Sequence, residues 1–150
     1  MDKVLKGRDY LESVRHIERL IERLKMQIEL EESMLTDTAI HYKDVNVQTS
    51  GVKDLMSEKI PEIIELREEL EKYIRSLERK KLTILRVIKR IDKLDQQQLI
   101  ILRYLQGMTI EQTADSMGWS YTWTWNALRR AVEEFENLFE EYNEEQKEGA

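Results

Sequence analysis

Two stretches of the chain repeat apolar residues at alternating steps of three and four, and that spacing decides most of what it can fold into. In the first stretch, Val14, Ile17, Ile21, Leu24, Ile28 and Leu35 form a heptad seam that only Glu31 breaks, with Leu20 and Leu30 widening it. The second runs through Ile60, Ile63, Leu70, Ile74, Leu77, Ile84, Ile88 and Ile91, interrupted at Arg67 and Lys81. A three-and-four repeat keeps one stripe on one side of a helix. It predicts helices over 9–40 and 57–91, each about 50 Å long at about 1.5 Å per residue. Ser57 is the expected cap of the second helix, with Pro61 close to its first turn.

Residues 41–56 lose the period and collect Asp44, Asn46, Thr49, Ser50 and Gly51, which reads as a long loop. Neither helix can hide its stripe alone. The expectation is an antiparallel, coiled-coil-like hairpin over residues 1–91, whose seam also makes a homodimer plausible. One proline and five glycines in 150 residues leave too few breakers for a multi-stranded β fold, so the class is all-α.

Past the hairpin, residues 92–142 break into three shorter helices. Leu94 or Asp95 opens the first, which carries Leu99, Leu102, Tyr104 and Leu105 before Gly107 stops it. Thr109 caps the second, and Gln112 three residues on completes a capping-box pattern. Gly118 ends that helix. Ser120 caps the third, which continues through Leu128, Val132, Phe135, Leu138 and Phe139. Ala114, Gly118 and Ser120 have the spacing of a helix-turn-helix: a small residue where the helices cross, glycine where the turn needs positive φ, and a cap. In such a unit the second helix can enter the DNA major groove with its N-terminal residues near base edges.

The string Ile101-Leu102-Arg103-Tyr104-Leu105-Gln106-Gly107-Met108-Thr109-Ile110-Glu111-Gln112-Thr113-Ala114 resembles region 4 of bacterial sigma factors, and Ala131-Val132 looks like that family's Ala-Leu pair. The resemblance covers about a third of the chain. A helical hairpin with a Val47-Gln48-Thr49-Ser50 loop before such a domain is similar to phage-encoded ArpU/RinA-type late-transcription regulators. This implies a cytoplasmic transcriptional regulator of phage or prophage type that binds double-stranded DNA near a promoter and contacts RNA polymerase.

Carrying the family's exposed positions across gives Tyr121, Thr122, Trp125 and Asn126, with Thr124 and Ala127 in the core. Those two are small for that task. A shift of one residue would bury Trp125, Leu128, Val132 and Phe135 as a continuous apolar stripe, leaving Tyr121, Thr122, Trp123 and Asn126 outward. The continuity of that stripe favours the shifted register. Two of Trp119, Trp123 and Trp125 are then expected to fill the small domain's core. Arg129 and Arg130 are candidates for phosphate contact or for pairing with Glu133 and Glu134. The candidate DNA-binding set is Tyr121, Thr122, Trp123, Trp125, Asn126, Arg129 and Arg130.

Charge is segregated around a net of −6. Arg75 to Arg90 holds seven basic residues against Glu78, whereas Glu133 to Glu148 holds eight glutamates against Lys147. The basic run can lie along a DNA backbone or face Glu12, Glu18, Glu22, Glu29, Glu31 and Glu32 across the hairpin, the pairing being the favoured reading. The acidic end, 143–150, is expected to be a disordered tail.

Absence of cysteine rules out disulfides and thiolate metal sites. His16 and His41 lack a carboxylate cluster at ligand spacing. With no phosphate loop or nucleophile context, no enzyme, metal or cofactor is expected. No apolar run reaches membrane-spanning length. Two other classes fit the same features: an adaptor using hairpin and aromatics to bind protein, and a phage DNA-packaging factor of small-terminase type.

Overall fold

The computed structural model describes residues 6–44 and 49–149, with side chains outside 39–53. Among the described residues every regular element is helical: α1 (Gly7–Asp44), α2 (Thr49–Ile88), α3 (Leu94–Ile100), a π-helical turn (Ile101–Leu105), α4 (Ile110–Met117) and α5 (Tyr121–Glu148). The fold is all-α.

The long helices are longer than the seams predict. Residues 41–44 continue α1 and residues 49–56 begin α2, so most of the expected loop is helix. Of the Val47-Gln48-Thr49-Ser50 segment, the first two residues lie outside the described ones, and the last two open α2. Ser57 is an exposed mid-helix residue, not a cap, and Pro61 lies well inside α2. Half-buried Leu55 and Met56 explain the extension. They sit seven or eight residues before Ile63, on its face of the helix, and apolar packing outweighs weak local stop signals.

The contacts divide the described chain into two compact units, one of residues 17–76 and the other of residues 6–16 with 77–149. The first is a helix pair. Among its described residues the buried apolar ones are Ile21 and Ile28 of α1 and Ile63 of α2. The breaks in the seams are matched across it. Lys59 Nζ lies 3.2 Å from Glu31, and Arg67 pairs with Glu32. Each pair joins the second half of α1 to the first half of α2, as neighbours in a hairpin do. The Glu31 carboxylate raises the Lys59 pKa, chiefly through its hydrogen bond. Ile60 and Leu30, read as seam residues, are exposed.

The second unit is built on one core. Leu11 and Val14 of α1, Ile84, Val87 and Ile88 of α2, and Ile91 join Leu99 and Ile100 of α3, Tyr104, and Leu128, Ala131, Val132, Phe135 and Phe139 of α5. The expected boundary at 91/92 is therefore displaced: the outer ends of both long helices belong to the C-terminal core. Gly7 makes this possible. A Cβ there would stand 2.8 Å from the Glu136 Cα and 3.2 Å from the Phe135 ring, so only glycine lets α1 start against α5.

Nor is the acidic end disordered. α5 runs to Glu148, and Arg90 makes a bidentate bond to Glu145 at 2.9 and 2.6 Å while lying over the Tyr142 ring. That guanidinium holds the Glu145 carboxyl below the usual carboxylate range. Packing of Phe139 and Tyr142 on the core and the high helix propensity of glutamate carry the helix onward.

The basic run does not act as one face. Lys80 donates to Ser13 Oγ at 2.8 Å and lies over the Tyr10 ring, Arg75 pairs with Glu71 of its own helix, and Arg90 reaches α5. Glu31 and Glu32, expected to face that run, pair instead with Lys59 and Arg67.

Candidate nucleic-acid interface

The approach to α4 is set by the π-helical turn. The Gln106 N–H reaches back to the Ile101 carbonyl and the Met108 N–H to that of Leu102, widening the last turn by a residue. Gly107 then takes a φ of 70°, and the Arg103 guanidinium donates to the Met108 carbonyl at 2.8 Å. The turn directs Tyr104 into the core, where its hydroxyl donates to Glu12 at 3.4 Å. Burial first, then the Glu12 charge, pushes the Tyr104 pKa up to about 12.

Thr109 starts α4 with both halves of a capping box. Its hydroxyl accepts from the Gln112 N–H, and the Gln112 side chain accepts from the Thr109 N–H. Gly118 ends α4 in the left-handed region at φ 72°, with the Trp119 N–H bonded to the Ala114 carbonyl and the Gly118 N–H to that of Asp115. These are the two bonds of a Schellman motif. Ser120 accepts the Trp123 N–H and starts α5. The motif residues Ala114, Gly118 and Ser120 thus sit where the spacing placed them, with Ala114 buried.

The register of α5 is the unshifted one. Thr124 is fully buried with Leu128, Ala131, Val132 and Phe135, and Ala127 is half-buried. Trp125 is exposed, so the favoured burial of Trp125 is overturned. The physical reason is local. The Thr124 hydroxyl donates to the Ser120 carbonyl at 2.8 Å, and Thr113 on α4 does the same to Thr109. A buried threonine satisfied within its own turn carries little desolvation cost and allows α4 and α5 to approach closely. Only Trp119 packs on the core, edge-on to Trp123 at 6.4 Å; Trp123 and Trp125 face solvent. The expectation that two tryptophans fill the core therefore fails.

Tyr121, Thr122, Trp123, Trp125, Asn126, Arg129 and Arg130 are all exposed. At about 100° per residue, Thr122, Asn126, Arg129 and Arg130 lie opposite the buried stripe. Tyr121 and Trp125 flank that strip on one side and Trp123 on the other. The Arg129 guanidinium lies 5.1 Å from the Trp125 ring centre, which pre-positions it instead of pairing it with Glu133. The first turn of α5 carries no acid, so its N–H groups and both arginines present positive potential along one surface. Sequence reasoning missed Arg103 and Gly7. A lone glycine ahead of a helix was the one available signal for the latter.

Among the described residues, no cluster of His, Cys, Asp or Glu could hold a metal, and no helix is long and apolar enough to cross a membrane. No curated protein and no solved structure matches the chain. Residues 38–136, about two thirds of the chain and spanning the whole of α3 and α4 with half of α5, match the model of a family described as a protein of unknown function, DUF1492. The chain belongs to the DUF1492 family.

Proposed function

We propose that this protein binds double-stranded DNA as a transcriptional regulator, laying the first two turns of α5 in the major groove. The observation that carries the reading is the single outward strip of Thr122, Asn126, Arg129 and Arg130, set on a rigid turn and preceded by no acid in α5. Asn126 has the donor and acceptor pair that matches adenine, and the threonine hydroxyl suits either base type. Arg129, Arg130 and the free N–H groups of the first turn supply phosphate contacts. The resemblance to sigma region 4 and to ArpU/RinA-type regulators points the same way. It adds a cytoplasmic phage or prophage setting and an RNA polymerase contact.

The test is selection from a random duplex pool with the full chain, followed by anisotropy titration against salt. Few phosphate contacts are available, so log Kd should vary with log salt with a slope of about 3. Arg129→Ala with Arg130→Ala should lower that slope by about 2 across all sequences, whereas Asn126→Ala should relax one base position at a cost of about 1–3 kcal/mol. No enrichment at low salt would defeat the reading. A second reading, an adaptor that binds protein, is favoured by the exposure of Trp123 beside Trp119; co-purification with RNA polymerase that survives DNase would support it.

A further inference from the structure

α1 carries a second apolar stripe that the hairpin seam does not use. Met26, Leu30 and Met34 are each more than half exposed, at 66%, 53% and 53%. Successive members are four residues apart. At about 100° per residue they centre about 170° from the buried Ile21 and Ile28, on the side of α1 turned away from α2. Arg23 lies seven residues before Leu30 and Asp37 seven after, so both fall on the same line, and both are exposed. Neither has an ion-pair partner among the described residues.

That order of residues is self-complementary. If two copies of α1 cross antiparallel with Leu30 against Leu30, position 30+n meets position 30−n of the other helix. Met26 then meets Met34, and Arg23 meets Asp37, each twice by symmetry. A two-fold axis requires this matching of a patch with itself. In a parallel pairing Arg23 would face Arg23 and Asp37 would face Asp37. Flexible methionine side chains on either side of a leucine can fill a shallow helix–helix contact without a preformed hole.

We infer that this face of α1 is a homodimer interface in which two chains pair antiparallel about Leu30. The seam to α2 remains intact in the dimer, because its residues lie on the other side of the helix. The inference stands independently of DNA binding, since every residue it uses lies in residues 17–76.

The chain has no cysteine, so single replacements report the pairing without background. Full-length protein is examined by sedimentation velocity and by crosslinking with oxidised glutathione as the oxidant. The expected results are a concentration-dependent species of twice 18.0 kDa, and a disulfide dimer from Leu30→Cys. A mixture of Met26→Cys and Met34→Cys chains should crosslink, and neither alone should. Arg23→Asp or Asp37→Arg should weaken the dimer several-fold, and the combined swap should restore it. Leu30→Lys should give a monomer whose helical circular dichroism is unchanged, because Leu30 is outside the core. A monomer at all concentrations, self-crosslinking of Met26→Cys alone, or a dimer that survives Leu30→Lys would each overturn the inference.

Discussion

The two units share the same pair of long helices yet hold them together in different ways. Residues 6–16 and 77–149 surround a core that includes fully buried Phe135, Leu11, Ile84, Leu99 and Ile100. Among the described residues, 17–76 bury three isoleucines and rely on two cross-helix ion pairs at the seam breaks. Apolar burial is non-directional and scales with area, whereas an ion pair fixes alignment and adds little stability when exposed. One unit is thus stabilised by volume filled and the other is aligned by charge. An equal substitution should therefore have unequal effects in the two places.

The sharpest test deletes equivalent bulk from each. Ile84→Ala should cost about 4–5 kcal/mol, and Ile28→Ala closer to 2, because the thin seam can collapse around the loss. Urea denaturation reads both, and equal losses would break the contrast. A comparable effect belongs to Tyr104. Its folded pKa lies above the unfolded value, so the neutral form contributes stability that is complete below pH 10 and lost as pH rises towards 12. A two-unit separation corresponds to about 3 kcal/mol. Tyr104→Phe should remove much of the alkaline loss between those limits in a pH series of melts.

Gly7 tests whether close approach, not only filled volume, holds the larger unit. Gly7→Ala should destabilise by about 1–3 kcal/mol, since the added methyl meets the Glu136 backbone. A neutral result in thermal melts would show that α1 can shift there at no cost. The smallest effect is expected for Arg67→Ala in the helix pair, under about 1 kcal/mol and vanishing at high salt. A loss that persists in 1 M salt would mean that packing of the arginine stem, not charge, aligns this unit.

The parts legible in the sequence were those with local causes. The Thr109–Gln112 box, the left-handed Gly118 and the Ser120 cap each depend on residues within four positions, and each sits where the spacing placed it. The outward position of Tyr121, Thr122 and Asn126 followed in either register. What failed depended on partners remote in the chain or on a local bond overlooked. The tryptophans were misjudged because a threonine bonded to its own turn fills a core position that bulk alone assigned to indole. Order at the acidic end is not legible in the sequence, because nothing near Glu145 announces Arg90, 55 residues away. Most of the loop expected at 41–56 is helix because threonine, serine and glycine are weak stops against half-buried Leu55 and Met56.

The unbroken length of α5 has a consequence for how the molecule meets its surroundings. Its leading third ends in Arg129 and Arg130 with no acid before them, and from Glu133 onward it carries eight glutamates against one lysine. The peptide dipoles of the helix point the same way, positive at Tyr121 and negative at Glu148. Side chains and backbone therefore add into one large permanent moment along a rod about 42 Å long. In the field of any polyanion such a rod experiences a torque before it touches anything, one that favours Tyr121 foremost and Glu148 trailing.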